Sequence, residues 1–95
     1  MGDEAIGFEW DSSNLAHISR HRVVPREAEE VIVNDPLDIG SETIEGEERL
    51  VSVGRTNRGR ILVVVTTMRG ERIRVVTAFP AAKRLCDIYV QQKGS

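Results

Sequence analysis

The sequence predicts an α+β domain: a small antiparallel β-sheet, wound as a meander, with two N-terminal helices and one C-terminal helix. Three observations lead there. From Leu37 to Phe79 the chain is dominated by alternating or β-branched runs separated by glycine-bearing turns. Before Asn34 and after Pro80 the apolar residues fall instead at helical spacing. Prolines at 25, 36 and 80 stand at the changes of pattern. Runs of strands flanked by helices, without βαβ alternation, define the α+β class.

Each element has its own signal. Phe8-Glu9-Trp10 alternates apolar and charged residues, as a brief first strand does. Asp11, Ser12 and Ser13 offer N-cap oxygens, and Leu15 with Ile18 makes a one-sided apolar face, so Ser12–His21 reads as a helix. Val24 precedes a proline and is pushed out of helical geometry. Pro25 then suits the first turn of a second helix, with Glu27, Glu29 and Glu30 near its positive end and Ala28, Val31 and Ile32 as its inward stripe. Asn34-Asp35-Pro36 stops it. Leu37–Ile39 and Glu42–Ile44 read as weak strands, and Glu45-Gly46-Glu47 as a turn. Glu48–Thr56 alternates, Asn57-Arg58-Gly59 turns, and Arg60–Met68 is the strongest strand. Arg69-Gly70 reads as a two-residue hairpin connection into Glu71–Phe79. Pro80 opens a third helix with Ala81, Leu85, Ile88 and Tyr89 on one side. In the last strand, parity sets Ile73, Val75, Thr77 and Phe79 toward the core and Arg72, Arg74, Val76 and Ala78 outward, because burying unpaired arginine is costly.

Ninety-five residues, 40% hydrophobic and 29% charged, fit one folded domain with a single core, with residues 1–6 and 93–95 expected to fray. The longest apolar run, Ile61-Leu62-Val63-Val64-Val65, is far too short to cross a bilayer, and no signal-peptide apolar stretch leads the chain. Cys86, the only cysteine, excludes an internal disulfide, suits a reducing cytoplasmic setting and reads as a small buried hydrophobe.

Charge is segregated along the chain. Residues 1–50 hold thirteen carboxylates against four arginines, and residues 51–95 hold nine cations against Glu71 and Asp87. The net charge of −2 conceals this split, which points to a polyanion or acidic partner at one end of the fold. Arg55, Arg58, Arg60, Arg69, Arg72 and Arg74 crowd into twenty residues without a lysine. Guanidinium forks match phosphate and carboxylate oxygens, whereas the plainer reading pairs them with Glu47, Glu48 and Glu71 at strand ends.

The other chemical candidate is Asn14-x-x-His17-x-x-x-His21. In a helix the two histidines stack on one face with Asn14 beside them. Imidazole suits proton transfer near neutral pH, and the alternative is a packing or capping role. A metal site is not expected: Ile18 stands where a zincin motif needs Glu, and no third His completes a ligand set. No cofactor motif is present. Glu71 is a candidate base, weighed against an ion pair with Arg72. Four aromatic residues are too few for a base-stacking platform, and Phe8 and Trp10 read as core or helix-entry packing.

Several ordered segments together resemble the BrnT family of bacterial toxins: Phe8-Glu9-Trp10-Asp11; Asn14-x-x-His17-x-x-x-His21-x-Val23; Pro25-x-Glu27-Ala28-x-Glu30-Val31; Gly46-Glu47-Glu48-Arg49; Gly54-Arg55; Arg58-Gly59-Arg60-x-Leu62-Val63-Val64-Val65; and Arg69-Gly70-Glu71-Arg72-Ile73-Arg74. The resemblance runs from Phe8 to Tyr89. It implies a RelE-like fold and a ribonuclease toxin neutralised by a small BrnA-type antitoxin with a ribbon-helix-helix part, the complex repressing its own operon as a heterotetramer, or the toxin pairing as a homodimer. The chain departs from the family at Arg20, where many members have Lys, and at Phe79, where an Arg is common. On this reading the enzyme is a metal-independent endoribonuclease that uses the substrate's own 2′-hydroxyl. His17, His21 and Glu71 are the catalytic candidates, and Arg20, Arg55, Arg58, Arg60, Arg72 and Arg74 the phosphate-binding ones. The alternative is a catalytically inactive BrnT-like module that binds an acidic protein or nucleic acid.

Overall fold

A computed structural model describes residues 7–94. The order is β1 (Phe8–Glu9), α1 (Ser12–Ser19), α2 (Pro25–Val33), β2 (Leu37–Ile44), β3 (Glu47–Arg55), β4 (Ile61–Arg69), β5 (Arg72–Pro80) and α3 (Lys83–Lys93). The five strands form one sheet in the order β1-β5-β4-β3-β2. β2 to β5 are an antiparallel meander, but β1 lies parallel to β5, so the sheet is mixed rather than purely antiparallel. The α+β class holds. No helix is long and apolar enough to cross a membrane.

Helices cover the sheet on both faces, which explains why both parities of β4 are apolar. On the front face Leu62, Val64, Val75 and Ala78 pack with Ile18 and Val23 around α1 and with Ala28 and Val31 of α2. On the back face Val53 and Val63 pack with Tyr89 of α3, joined by Ile61, Phe79, Ala81 and Leu85. The parity expected for β5 breaks midway. Val65 pairs with Thr77 but Thr66 pairs with Val75, so Val76 is an unopposed bulge residue. Ala78, expected outward, therefore shares the front core with Val75, while Phe79 turns to the back face.

Local chemistry sets the boundaries. Asp11 caps α1, its carboxylate accepting from the Ser13 and Asn14 amides while the Asn14 side chain accepts from the Asp11 amide at 2.7 Å. Asn14 is 1% exposed, and its amide donates to the Glu9 and Val75 carbonyls at 2.9 and 3.0 Å. α1 stops at Ser19, two residues short of the expected end. The Val23 and Arg22 amides fold back to the Ile18 and Ser19 carbonyls, a Schellman closure with Ile18 against Val23 in the core. Arg22 occupies the left-handed position of that closure (φ 60), where glycine is the easy residue.

The two weak strands join as one, β2, with an irregularity between Asp38 and Gly40. Its turn, Glu45-Gly46, has positive φ at both residues, as a type I′ hairpin requires. The β4–β5 turn is Gly70-Glu71 rather than Arg69-Gly70, with glycine first at φ 63. Pro80 ends β5, and α3 begins only at Lys83. Expected fraying at residues 1–6 and 95 lies outside the described residues; Lys93 binds Asp35 at 3.2 Å, and Gly94 closes α3 in left-handed geometry. Cys86 is half-buried, its thiol near the Ala81 carbonyl. Phe8 and Trp10 pack at the margin of the front core, and the Trp10 indole donates to Glu29.

Two substitutions test this packing. A Cβ at Gly54 would lie 2.9 Å from the Val31 side chain and 3.3 Å from its carbonyl, so Gly54→Ala should cost about 1–3 kcal/mol by prising α2 from β3. Asn14→Ala strands one buried and one half-buried carbonyl and should cost about 2–4 kcal/mol. Urea unfolding of both variants measures these losses; a change under about 0.5 kcal/mol would contradict the packing described.

Candidate nucleic-acid site at the turn end of the sheet

The sheet has two functional-looking ends, because the β3–β4 and β4–β5 turns lie at opposite ends of β4. Arg55 pairs with Ile61, whereas Arg74 pairs with Thr67 and Arg72 with Arg69. Six residues of strand separate the two groups, about 20 Å. The six clustered arginines thus fall into two sets of three, and only one set lies near a histidine.

At the hairpin end the arginines are engaged. Arg74 reaches Glu9 at 3.2 Å and Asp11 at 2.8 Å, and its side chain is only 12% exposed. Arg72 donates to the Phe8 carbonyl. Arg69 lies 3.7 Å from Glu9 and 3.6 Å from Glu47, which also holds Arg49. These contacts bind β1 to β5 and knit the ends of β3 and β4. Glu71 sits in the exposed β4–β5 turn, eight residues along β5 from Phe79, about 26 Å, and Arg72 turns to Phe8 rather than to it. Neither Glu71 nor Arg72 and Arg74 are brought to the imidazoles.

At the opposite end α1, the α1–α2 turn and the β3–β4 loop converge. β1 pairs with only two residues of β5, so the rest of that edge is left to α1. This lays His21 against Phe79, ring centroids 5.7 Å apart and tilted by 59°. His21 lies beyond the helix, in the closing turn, so the expected four-residue stacking with His17 does not form within regular helix. Both imidazoles are exposed. Arg60 donates to the Arg22 carbonyl at 2.9 Å and to both Glu27 oxygens at 2.9 and 3.1 Å. Glu27 also accepts from the Val24 amide, fixing the start of α2. Beside it a cleft of about 540 Å³ runs between the N-terminus of α2 and the β3–β4 loop, lined by Val24, Pro25, Arg26, Glu27, Glu30, Thr56, Asn57 and Arg58. Glu30 is occupied by the Asn57 amide and side chain. Arg20 and Arg58 are exposed and meet no carboxylate among the described residues. Arg55 lies on the back face of the same end, its guanidinium 5.8 Å above the Tyr89 ring.

Sequence reasoning missed Glu27, Phe79 and Arg22 as parts of this site. Glu27 was legible only as a helix-start residue. Among the described residues, no three His, Cys, Asp or Glu gather where they would hold a metal ion.

The hairpin-end lock carries a pH signature. Hydrogen bonding from Arg74, then from the Asn14 amide, holds the Asp11 carboxyl below its ordinary value. A depressed folded value contributes stability above the unfolded value of about 3.9, and that contribution disappears as pH falls through the folded value. The Asp11 side chain is 53% exposed, so solvent screens the pair and the effect is modest. Asp11→Asn retains a capping oxygen but no titration. Its urea midpoint should therefore fall less than that of the native chain between pH 5 and 3; parallel profiles would remove Asp11 from the acid response.

The family model described as "Ribonuclease toxin, BrnT, of type II toxin-antitoxin system" matches residues 10–84, which include both ends of the sheet. No curated protein matches the chain.

Proposed function

The chain belongs to the BrnT family, ribonuclease toxins of type II toxin–antitoxin systems, and from that premise we propose that it is a metal-independent endoribonuclease whose centre is the α1–α2 turn end of the sheet. One observation carries the placement: the hairpin-end arginines are tied to carboxylates and a carbonyl, while at the other end Arg20, next to His21 in the chain, and Arg58, in the β3–β4 loop, meet no carboxylate among the described residues.

The chemistry needs no group beyond these side chains. One imidazole, His17 or His21, takes the proton of a 2′-hydroxyl. The 2′-oxygen attacks the adjacent phosphorus, and the P–O5′ bond breaks. The other imidazole, protonated, gives its proton to the leaving 5′-oxygen, so that the products are a 2′,3′-cyclic phosphate and a 5′-hydroxyl. Arg58 and Arg20 hold the non-bridging oxygens as negative charge builds, and Arg60, steadied by Glu27, is the fixed cation at the α1–α2 turn. Arg55 supplies positive potential from the back face. Glu71, Arg72 and Arg74 take no part in this reading. The enzyme works in the cytoplasm and is silenced by a BrnA-type antitoxin, whose ribbon-helix-helix part makes the complex a repressor.

A second reading keeps the fold without catalysis. Arg60 is held by Glu27 in an ion pair that fits a purely structural role, and an inactive module would use the exposed Arg20 and Arg58 to dock an acidic segment or a nucleic-acid backbone instead.

RNA cleavage in EDTA separates the two. The native chain should cut and leave cyclic phosphate ends. His17→Ala with His21→Ala should slow cutting by about 100-fold or more, and Arg58→Ala by about tenfold, with Glu71→Ala unchanged. Cutting unaffected by the double histidine change would remove the imidazoles from the mechanism. Absence of both cleavage and growth arrest in the native chain would leave the interaction module.

A further inference from the structure

The helical layer on the front face is incomplete. α1 covers the edge of β5, and α2 covers the end of β3 at Gly54 and the start of β4 at Leu62 and Val64. Beyond the end of α2 no helix among the described residues covers the sheet, and a groove of about 380 Å³ opens there. Its floor crosses four strands, with Leu50 on β3, Met68 on β4 and Ile73 on β5, and its wall is Ile32 of α2. Leu50 and Met68 are 40% and 59% exposed, large apolar side chains open to solvent among the described residues. Contiguous exposed apolar surface of this kind marks an interaction site.

Charge decides what fits. The acidic side chains lining the groove are Asp38 and Glu48, and no lysine or arginine among the described residues lines it. Asp38 accepts from the Ser52 hydroxyl and meets no cation among the described residues. Phosphates would be repelled, so RNA is not the occupant. A second copy of the chain, related by a two-fold axis, would set these carboxylates against their own equivalents. A segment with apolar anchors flanked by lysine or arginine meets neither objection. Four strands span about 15 Å, the length of some ten helical residues, and a helix fits where the layer begun by α1 and α2 leaves off.

We propose that this groove is the docking surface for the antitoxin, which lays an amphipathic, basic-flanked helix across Leu50, Met68 and Ile73 and completes the front layer. The proposal rests on the toxin reading for the identity of the partner alone. It also separates inhibitor contact from the cationic end, since Met68 pairs with Ile73 near the hairpin while His21 meets Phe79.

The test uses the full chain and the purified antitoxin encoded beside it, titrated calorimetrically. Met68→Asp and Leu50→Asp should each weaken binding by about 30-fold or more. Glu48→Lys should weaken it by about tenfold and flatten its salt dependence, while Met68→Leu should stay within about twofold. Thermal melts confirm folding, and Met68, the most exposed position, keeps the test open if Leu50→Asp unfolds. Affinities within twofold for every variant would overturn the proposal. So would a native dimer that Met68→Asp dissociates, or RNA binding weakened by Met68→Asp. Cleavage assays on the free variants keep the two readings apart: binding lost at the groove with an inactive native chain refutes the nuclease alone, and active cleavage with undisturbed binding refutes the groove alone.

Discussion

The buried side chain of Asn14 is the constraint on which the rest depends. β1 has two residues, too few for a stable ladder, and its partner β5 has an edge that continues well beyond it. Asn14 makes up for this by donating to carbonyls on both strands while its oxygen closes the cap of α1. A helix start, a strand and a sheet edge are thereby fixed by one amide with its bonds satisfied, which is why it tolerates complete burial. Arg74 reinforces the same junction from the surface through Glu9 and Asp11. Once α1 is held along β5, its closing turn has only one place to go, and His21 arrives against Phe79.

A sheet covered on both faces needs strands without a polar side, and β4 meets that demand with Leu62 and Val64 in front and Val63 behind. β5 solves the problem differently. Its bulge at Val76 lets Val75 and Ala78, three apart, share the front core, while Phe79 passes to the back. That switch is what lets one strand carry Arg74 in an ion-paired lock near its start and, near its end, an aromatic ring beneath an imidazole.

Much of this was legible in residue types. The order of elements, the β4 strand, Pro25 at a helix start and Asp11 among the capping oxygens all follow from local chemistry, and local chemistry prevailed. The misses came from relations between elements. The parallel pairing of β1 has no local signal. The bulge was invisible because Thr77 and Phe79 fit an apolar alternation as well as their neighbours do. The arginine set was read as one cluster because its members are close in sequence. Yet turns on either side of a nine-residue strand must lie at opposite ends of it, and that reasoning alone would have parted Arg58 and Arg60 from Arg69, Arg72 and Arg74.

The segregated charge has the same resolution. Carboxylates from the acidic first half, at Glu9, Asp11, Glu27 and Glu47, meet the arginines of the basic second half across the fold. Folding therefore cancels part of the field that the linear sequence suggests. What survives among the described residues is uneven: carboxylates remain at the groove at Asp38 and Glu48, and cations remain at Arg20, next to His21 in the chain, and at Arg58 in the β3–β4 loop. A chain of net charge −2 can thus present a cationic end to a phosphate and an acidic, apolar face to a protein. Contact potential at short range, not net charge, governs which guest each surface accepts, because at physiological salt fields fade within about 8 Å.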